Sequence, residues 1–141
     1  MMKSTISGLL ILLTAWLMPM AAHAEEAPAP AATTPQYTYY TLAPDITTNY
    51  FTQGSRIGYL RLQVDLMLAN PADIKEVEHH APLIRDAIIN IIAQQPEARV
   101  KSLAGREDIR QACFNKVNEL LITETKKKLL TELLFTEYLY Q

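Results

Sequence analysis

The feature that most constrains the fold of this chain is a strictly alternating stretch between Gly58 and Leu68. Apolar side chains occupy every second position, and the residues between them are mostly polar: Leu60, Leu62, Val64, Leu66 and Leu68 alternate with Tyr59, Arg61, Gln63, Asp65 and Met67. Because successive side chains of a strand point to opposite faces of a sheet, this pattern predicts a β-strand with one buried face and one wetter face.

Two shorter segments before this strand also favour β-structure. Aromatic and β-branched residues are frequent in the segments 37–41 and 46–51, and a turn containing Pro44 separates them. After the long strand, Asn70 can cap a helix and Pro71 suits its first position. The first half of the domain is therefore predicted to consist of strands that lead into a helix.

Two amphipathic helices are predicted in the second half of the chain. Pro82 lacks an N–H group, so the first helix must kink there or restart with Pro82 in its first turn. Beyond it, one helix face carries apolar residues at Ile84, Ala87, Ile88, Ile91 and Ile92. The second helix, from about Arg106 to Thr125, has an apolar face formed by Ile109, Cys113, Val117, Leu120 and Leu121. We expect a loop or short strand between them, around residues 99–101.

The chain ends in LLTELLFTEYLYQ, residues 129–141, directly after three consecutive lysines. This ending offers too little polar surface for an isolated helix, and a strand inserted into the sheet fits it better. The order of elements indicates a single small α+β domain. In that domain two main helices pack on one face of an antiparallel or mixed sheet.

The N-terminus has the organisation of a secretory signal peptide. Lys3 supplies a positive charge, an apolar block follows, and an Ala-x-Ala exit places cleavage between Ala24 and Glu25, which makes residues 1–24 the signal peptide. The alternative is an uncleaved anchor, since such an uncharged stretch could span a bilayer of about 30 Å. Residues 25–36 are rich in Pro and Ala and are predicted to be a linker. Both interpretations place the domain of residues 37–141 outside the cytoplasm, in a periplasm.

Composition and motifs argue against several classes of function. The net charge is −2 and no basic stripe is present, so we expect no binding to nucleic acid. The single cysteine, Cys113, excludes an intrachain disulfide and a multi-cysteine metal site. His79 and His80 are adjacent and point about 100° apart on a helix, so they do not chelate one ion. With no catalytic motif in the sequence, we expect neither enzyme activity nor a cofactor.

Arg85 and Asp86 stand among apolar residues of the first amphipathic helix. One interpretation is a salt bridge or capping pair on the exposed side of the helix. The other is a contact with a second subunit or a partner, because Arg is enriched at interface hot spots. The sequence leaves both interpretations open.

Five segments of the domain occur in an order that can be compared with known protein families. They are residues 39–49, the strand that begins at Gly58, the helix APLIRDAII at 81–89, residues 102–107, and the ending LFTEYLYQ at 134–141. The helix and the ending together are fairly specific. In this order the segments resemble the FliL family of flagellar basal-body-associated proteins, over roughly residues 37–141.

The resemblance implies an accessory of the bacterial flagellar motor in the periplasm, beside the stator proteins MotA and MotB. Members of the family are thought to support torque, swarming and rotational control during chemotaxis. Their periplasmic domain resembles the stomatin/prohibitin-type domain and assembles into a ring. FliL usually carries a basic cytosolic tail and one transmembrane helix, whereas this chain has three residues before its apolar stretch. Anchoring of this chain in the inner membrane therefore stays an open alternative.

The hypothesis that follows is mechanical rather than chemical. Copies pack side by side, and the assembly favours one conformation of the stator because it contacts that conformation more strongly. Candidate contact residues are polar or aromatic positions away from the apolar stripes, namely Tyr59, Arg61, Gln63, Arg85 and Asp86. The alternative is a periplasmic module, unrelated to motility, that binds a small ligand or lipid in a pocket between helices and sheet.

Overall fold

The computed structural model of the protein describes residues 36–141. Its elements, in chain order, are β1 (Thr38–Thr41), β2 (Ile46–Tyr50), β3 (Gly58–Leu68), a 3₁₀ turn (Pro71–Asp73), α1 (Ile74–His79), α2 (Ala81–Ala93), α3 (Glu97–Lys101), α4 (Leu103–Thr125) and β4 (Leu130–Tyr140). The predicted signal peptide or anchor, its cleavage site and almost all of the predicted linker lie outside the described residues.

The sheet is antiparallel and is built around β3, as the alternating stretch predicts. β4 pairs along one edge of β3, from Leu60 opposite Tyr140 to Leu68 opposite Leu130. β2 and β1 share the other edge end to end, with β2 beside the first half of β3 and β1 beside the second half. The C-terminal segment is therefore an inserted strand, and the α+β prediction is confirmed.

The edge formed by β1 and β2 is interrupted by residues 42–45, which we call the bulge segment. The residue Thr41 pairs with Asp65, and Ile46 pairs with Leu62, so four residues of this edge face two of β3. The N–H of Leu42 still donates to the carbonyl oxygen of Val64 at 2.9 Å, which keeps the bulge segment attached to the sheet. Bulges bend a strand and re-aim its side chains.

Helices α2 and α4 form a layer over one face of the sheet. Every second residue of β3 points into this layer and is buried, with Leu60, Leu62 and Leu66 completely inaccessible to solvent. The helices contribute the apolar positions that their periodicity predicts, Ile84, Ile88 and Ile92 from α2 and Ile109, Cys113, Val117 and Leu121 from α4. The core is thus the interface between two layers. The apolar side chains at every second position of β3 and at helical spacing in α2 and α4 all face it.

Two local predictions were wrong. Residues 97–101 form the short helix α3 rather than a loop or strand, and α4 begins at Leu103 rather than near Arg106. The start of α4 is fixed by Ser102, whose Oγ accepts a hydrogen bond from the N–H of Gly105 at 3.0 Å. Gly105 is needed because a Cβ there would collide with the carbonyl oxygen of Arg99, where α3 and α4 approach closely.

Candidate interaction surface

The face of the sheet opposite the helices is the main uncovered surface of the domain. Among the described residues no helix packs over it, and Tyr59 and Leu139 are 45% and 57% exposed there. Strand pairing places the following residues on this side: Tyr39, Thr41, Thr47, Asn49, Tyr59, Arg61, Gln63, Asp65, Met67, Glu132, Leu134, Glu137 and Leu139. We call this surface the open face. It holds three of the five predicted contact residues, Tyr59, Arg61 and Gln63.

Arg61 organises the charges at one end of the open face. Its Nη2 lies 2.6 Å from Asp45 Oδ2 of the bulge segment, and its Nε lies 3.7 Å from Glu137 Oε1 of β4. The hydrogen bond to Asp45, and then the charge of Glu137, raise the pKa of Arg61 above its ordinary value. Because the Arg61 side chain is more than half exposed, its ion pairs contribute little to stability.

Asp65 lies in the middle of the open face, opposite Thr41 of β1 and Leu134 of β4. Its Oδ1 atom is shielded from solvent and accepts no hydrogen bond in the part of the chain that the structure describes. Of the other carboxylates here, Asp45 and Glu137 pair with Arg61, and Glu132, opposite Met67, pairs with Arg110. Within residues 36–141, Asp65 is therefore the carboxylate of the open face that no cation reaches.

A shallow depression of about 300 Å³ marks the end of the open face where β3 begins. Its lining combines apolar, aromatic and cationic side chains: Thr47, Tyr59, Arg61, Leu139 and Gln141. Tyr and Arg are the residues that most often anchor protein interfaces, because they combine large contact area with hydrogen bonding. This composition suits a protein partner.

Arg85 and Asp86 are not part of the open face, and they do not pair with each other. The Nη2 atom of Arg85 donates to the carbonyl oxygens of Pro44 at 2.6 Å and Leu42 at 3.5 Å. Asp86 instead accepts a hydrogen bond from Asn90 one turn later on α2. The observed role of Arg85 is thus to hold the bulge segment from the helix side, rather than to form the salt bridge or cap considered from the sequence.

The bulge segment connects the two groups of predicted contact residues. Arg61 holds the carboxylate of Asp45 from the open face, and Arg85 holds the carbonyl of Pro44 from α2. Two arginines from different layers therefore meet at adjacent residues of one surface segment. Asp86 is the one predicted contact residue that lies apart, on the outer side of the helix layer.

The outer edge of β4 carries an arrangement that the sequence interpretation missed. Arg106 Nη2 donates to the carbonyl oxygen of Phe135 at 3.1 Å, and Arg110 Nη1 donates to that of Leu133 at 2.9 Å. The guanidinium of Arg106 also lies over the ring of Tyr138, with 4.9 Å between its Cζ and the ring centroid. Hydrogen bonds first to Glu107 and then to Glu132 raise the pKa of Arg110. We call this the closed edge, because cations of α4 occupy backbone groups that could pair with another strand.

The i, i+4 spacing of Arg106 and Arg110 was the available signal for the closed edge. It puts both guanidinium groups on one side of α4, beside whichever element packs there. What the sequence does not contain is the position of the β4 edge relative to that side. The pairing of the arginines with carbonyl oxygens therefore could not be predicted.

The concave sites lie at the surface, whereas the interior between helices and sheet is filled by buried apolar side chains. A groove of about 540 Å³ runs between α2 and α4 on their outer side and includes Leu83, Asp86 and Ile91. A second hollow of about 410 Å³ lies beside Tyr50 and Lys101, where β2 joins β3. The groove lies outside the helix layer, whereas the hollow lies between α3, which contributes Glu97 and Lys101, and the adjoining ends of β2 and β3.

The buried thiol of Cys113 is part of the core. Burial raises its pKa to about 12, so the thiol stays protonated and unreactive at neutral pH. His79 and His80 stack edge to face, and no group of three metal-ligating side chains occurs in residues 36–141. No helix of that same range has the length and apolar character required to cross a membrane.

Two comparisons relate the chain to known proteins. A family model described as "Flagellar basal body-associated protein FliL" matches residues 39–141, which is the described domain from β1 to the end of the chain. "Flagellar protein FliL" of Aquifex aeolicus (strain VF5) is 33% identical over 63 residues, covering 45% of this chain and 39% of that relative. The match therefore spans well under half of the relative's length.

Proposed function

Because the chain belongs to the FliL family of flagellar basal body-associated proteins, it has an accessory role in the flagellum, and we propose how that role is performed. The protein acts without catalysis, by contact with neighbours in the flagellar motor. Copies assemble side by side, and the assembly associates with stator units of the MotA/MotB type. It thereby modulates torque, swarming or the direction of rotation during chemotaxis.

The observation that supports this proposal best is the open face. It is a broad, uncovered sheet surface with exposed aromatic and aliphatic side chains, an arginine and an unpaired carboxylate. Apolar surface of this kind, with polar groups interspersed, is typical of protein interfaces. The bulge segment, held by Arg61 and Arg85, extends the proposed contact area to the edge of the sheet.

The proposed mechanism is a shift between conformations of the stator. A partner changes such an equilibrium only by as much as its affinity differs between the two states. An assembly that contacts one stator conformation over the open face, and the other less well, stabilises the first. A factor of ten in relative affinity corresponds to about 1.4 kcal/mol, which a few interface contacts can supply.

The proposal places the domain in the periplasm at the flagellar basal body, exported by its N-terminal segment. That segment is then either removed after Ala24 or retained as an anchor in the inner membrane. Mass spectrometry of the protein isolated from cells distinguishes the two, because a mature N-terminus at Glu25 requires cleavage. A peptide that spans residues 24 and 25 in the mature protein would favour the anchor.

Motility of a deletion strain complemented with charge-reversal variants tests the function. Arg61→Glu is expected to reduce the swarming diameter at least twofold, because it removes the cation that organises the open face. The matched control is Arg99→Glu, since Arg99 is a similarly exposed arginine that pairs with Asp108 on the helix side at 3.3 Å. The control is expected to swarm normally. A deletion strain with unchanged swimming, swarming and reversal frequency would contradict the proposed function.

Arg85→Glu is a second test with a different expectation. It removes the hydrogen bonds to Pro44 and Leu42 and so disturbs the bulge segment as well as the surface charge. We expect reduced motility together with a loss of about 1 kcal/mol in the free energy of unfolding. Arg85→Lys, which keeps the charge but not the fork of donors, separates the two effects. Normal motility of Arg85→Glu would remove Arg85 from the contact surface.

A further inference from the structure

We infer that the open face is covered by the β2–β3 connection of a second copy of this chain, so that copies join head to tail. Residues 51–57 form this connection, which we call the tip loop. The inference rests on the side-by-side assembly of the proposed function and names the two surfaces that meet. The contact pairs Arg56 of one copy with Asp65 of the next, and packs apolar side chains of the tip loop on the open face.

No cation among residues 36–141 pairs with the central carboxylate of the open face. Oδ1 of Asp65 is withdrawn from solvent and accepts no hydrogen bond from residues 36–141. Leaving a polar atom desolvated and unpaired costs about 1–3 kcal/mol, and more for a charged group. The guanidinium nearest in the sheet register, that of Arg61, already lies against Asp45 and Glu137. A donor supplied by a neighbouring molecule removes this cost.

The tip loop has the complementary chemistry. Phe51 and Ile57 at its two ends are 56% and 61% exposed, and Arg56 is exposed and in no salt bridge within the described domain. The base of the loop is held firmly, because Phe51 exchanges backbone hydrogen bonds with Gln95 and Glu97. Thr52 Oγ1 closes the loop by donating to the carbonyl oxygen of Arg56. The loop thus presents an exposed cation and exposed apolar side chains on a base that is tied to the rest of the domain.

The two surfaces cannot meet within one copy. The tip loop ends at Ile57, immediately before β3, and Asp65 is seven residues after Gly58 along the same extended strand. At a rise of about 3.4 Å per residue, roughly 24 Å separate the start of β3 from Asp65. A tip-loop cation that reaches Asp65 must therefore belong to another molecule. A second copy supplies it together with the exposed apolar side chains of that loop.

A symmetric contact between two open faces is disfavoured by charge. It would bring Asp45, Asp65 and Glu137 of both molecules together with only one guanidinium on each side, and like charges across an interface are repulsive. Extension of the sheet across β4 is obstructed as well, because Arg106 and Arg110 occupy its outer carbonyl oxygens. A contact between different surfaces, tip loop to open face, meets neither obstacle. Such a heterologous contact propagates, and it closes into a ring when the rotation between copies allows.

Disulfide cross-linking in cells tests which surfaces meet. The full chain is expressed with Ile57→Cys and Gln63→Cys together, or with either substitution alone, and is oxidised before denaturing electrophoresis. The native Cys113 is buried and does not take part. The double variant is expected to give a ladder of trimers and larger species, because each copy then has two different linking sites. Each single variant is expected to give at most dimers.

The matched control replaces the open-face cysteine by one on the helix layer. Ile57→Cys with Gln94→Cys also carries two exposed thiols per chain, but Gln94 lies on the outer side of α2. No ladder is expected from this pair. A ladder from the control but not from Ile57→Cys with Gln63→Cys, or no ladder from either, would overturn the inference. Neither outcome depends on a charge variant folding correctly.

Charge exchange then tests the named pair on the cross-linkable background. Arg56→Glu and Asp65→Arg alone are expected to lower the yield of trimers and larger species at least fivefold, and together to restore at least half of it. Asp65→Asn, which keeps the shape of the side chain, is expected to lower the yield without unfolding. If the yield is unchanged in the single variants, or is not restored in the double variant, the pairing is wrong.

The outcomes also separate this inference from the function it rests on. Loss of motility in the deletion strain without any ladder keeps the flagellar function and rejects contact between copies at the open face. In that case a basic and apolar segment of a different protein is the occupant. A ladder combined with unchanged motility of the deletion strain keeps the contact and rejects the function.

Discussion

The two faces of β3 differ in almost every respect, although their residues alternate along one strand. On the inner face Leu62 and Val64 are buried between helices, and no polar side chain of the described domain is fully buried. On the open face Tyr59 is exposed, Arg61 is charged and Asp65 keeps an unpaired oxygen. The inner face is thus complete within one molecule, and the open face is not. That difference is the reason for proposing the open face, rather than the inner face, as the contact surface.

The largest effect is expected on the inner face. Leu62→Ala should lower the free energy of unfolding by about 2–5 kcal/mol, because it leaves a cavity under α2 and α4 where the side chain is fully buried. The matched control is Gln63→Ala, one residue further along the same strand and on the open face, expected to cost less than about 0.5 kcal/mol. Urea unfolding of both variants provides the measurement. Equal losses would mean that the open face is also held by the fold.

The next effect concerns the closed edge of β4. Replacing both Arg106 and Arg110 by alanine removes the side chains that occupy the carbonyl oxygens of Phe135 and Leu133. The free energy of unfolding is expected to fall by about 1–3 kcal/mol, since hydrogen bonds from charged groups are among the stronger ones.

The same double variant should also associate through the uncovered strand, because unpaired edge groups template strand addition. Light scattering at increasing protein concentration measures this association. Lys116→Ala with Lys126→Ala removes two cations of α4 and its C-cap that lie away from β4, and serves as the control. If the double arginine variant stays as monodisperse as this control, Arg106 and Arg110 are not required to prevent association through the edge of β4.

The inner face could be predicted from the sequence because its apolar residues recur at regular spacings. A period of two in β3 and a period near 3.6 in α2 and α4 each name the residues that must face each other. Burial of Ile84, Ile88 and Ile92 follows from the same rule. Short elements cannot be predicted in this way. Helix α3 has only the five residues Glu97–Lys101, which are too few to display a helical period of apolar residues.

The open face and its surroundings could be predicted only in part. Alternation identified Tyr59, Arg61 and Gln63 as outward, and the structure places them there. The partners of Arg61 and Arg85 depend on how residues 42–45 leave the sheet edge, and no short-range pattern specifies that path. Likewise, Oδ1 of Asp65 has no partner within residues 36–141 because the neighbouring strands β1 and β4 offer it no donor, and no short-range pattern specifies that.

A further effect is expected at alkaline pH, and two groups on the inner side of the sheet contribute to it. Burial raises the pKa of Cys113 from 9.0 to about 12, and chiefly burial raises that of Tyr138 from 10.0 to about 12. Because both pKa values are higher in the folded state, their stabilisation is complete below pH 9 and is lost as pH rises towards 12. At about 1.4 kcal/mol per pKa unit, the free energy of unfolding should fall by roughly 4 kcal/mol across that window because of Cys113, and the half-exposed Tyr138 should add less than its shift alone implies.

Cys113→Ala and Tyr138→Phe check the origin of this decline. Each variant is less stable at pH 8, because the first loses packing and the second loses the hydrogen bond to the carbonyl oxygen of Val100. Each should nevertheless show a shallower decline between pH 9 and pH 12 than the unmodified chain. Parallel stability curves for all three proteins would assign the decline to other groups.

The smallest effect on stability is expected at Arg61, and it makes the comparison between the two faces sharpest. Arg61→Ala removes two exposed ion pairs, to Asp45 and Glu137, so the free energy of unfolding should change by less than about 1 kcal/mol. Even that change should shrink in 0.5 M salt, because exposed charges are screened. Motility should fall nonetheless, because the residue's contribution is made to a neighbouring molecule. A change above 2 kcal/mol, with motility lost only in proportion to folded protein, would show that Arg61 stabilises the fold and would remove it from the proposed contact surface.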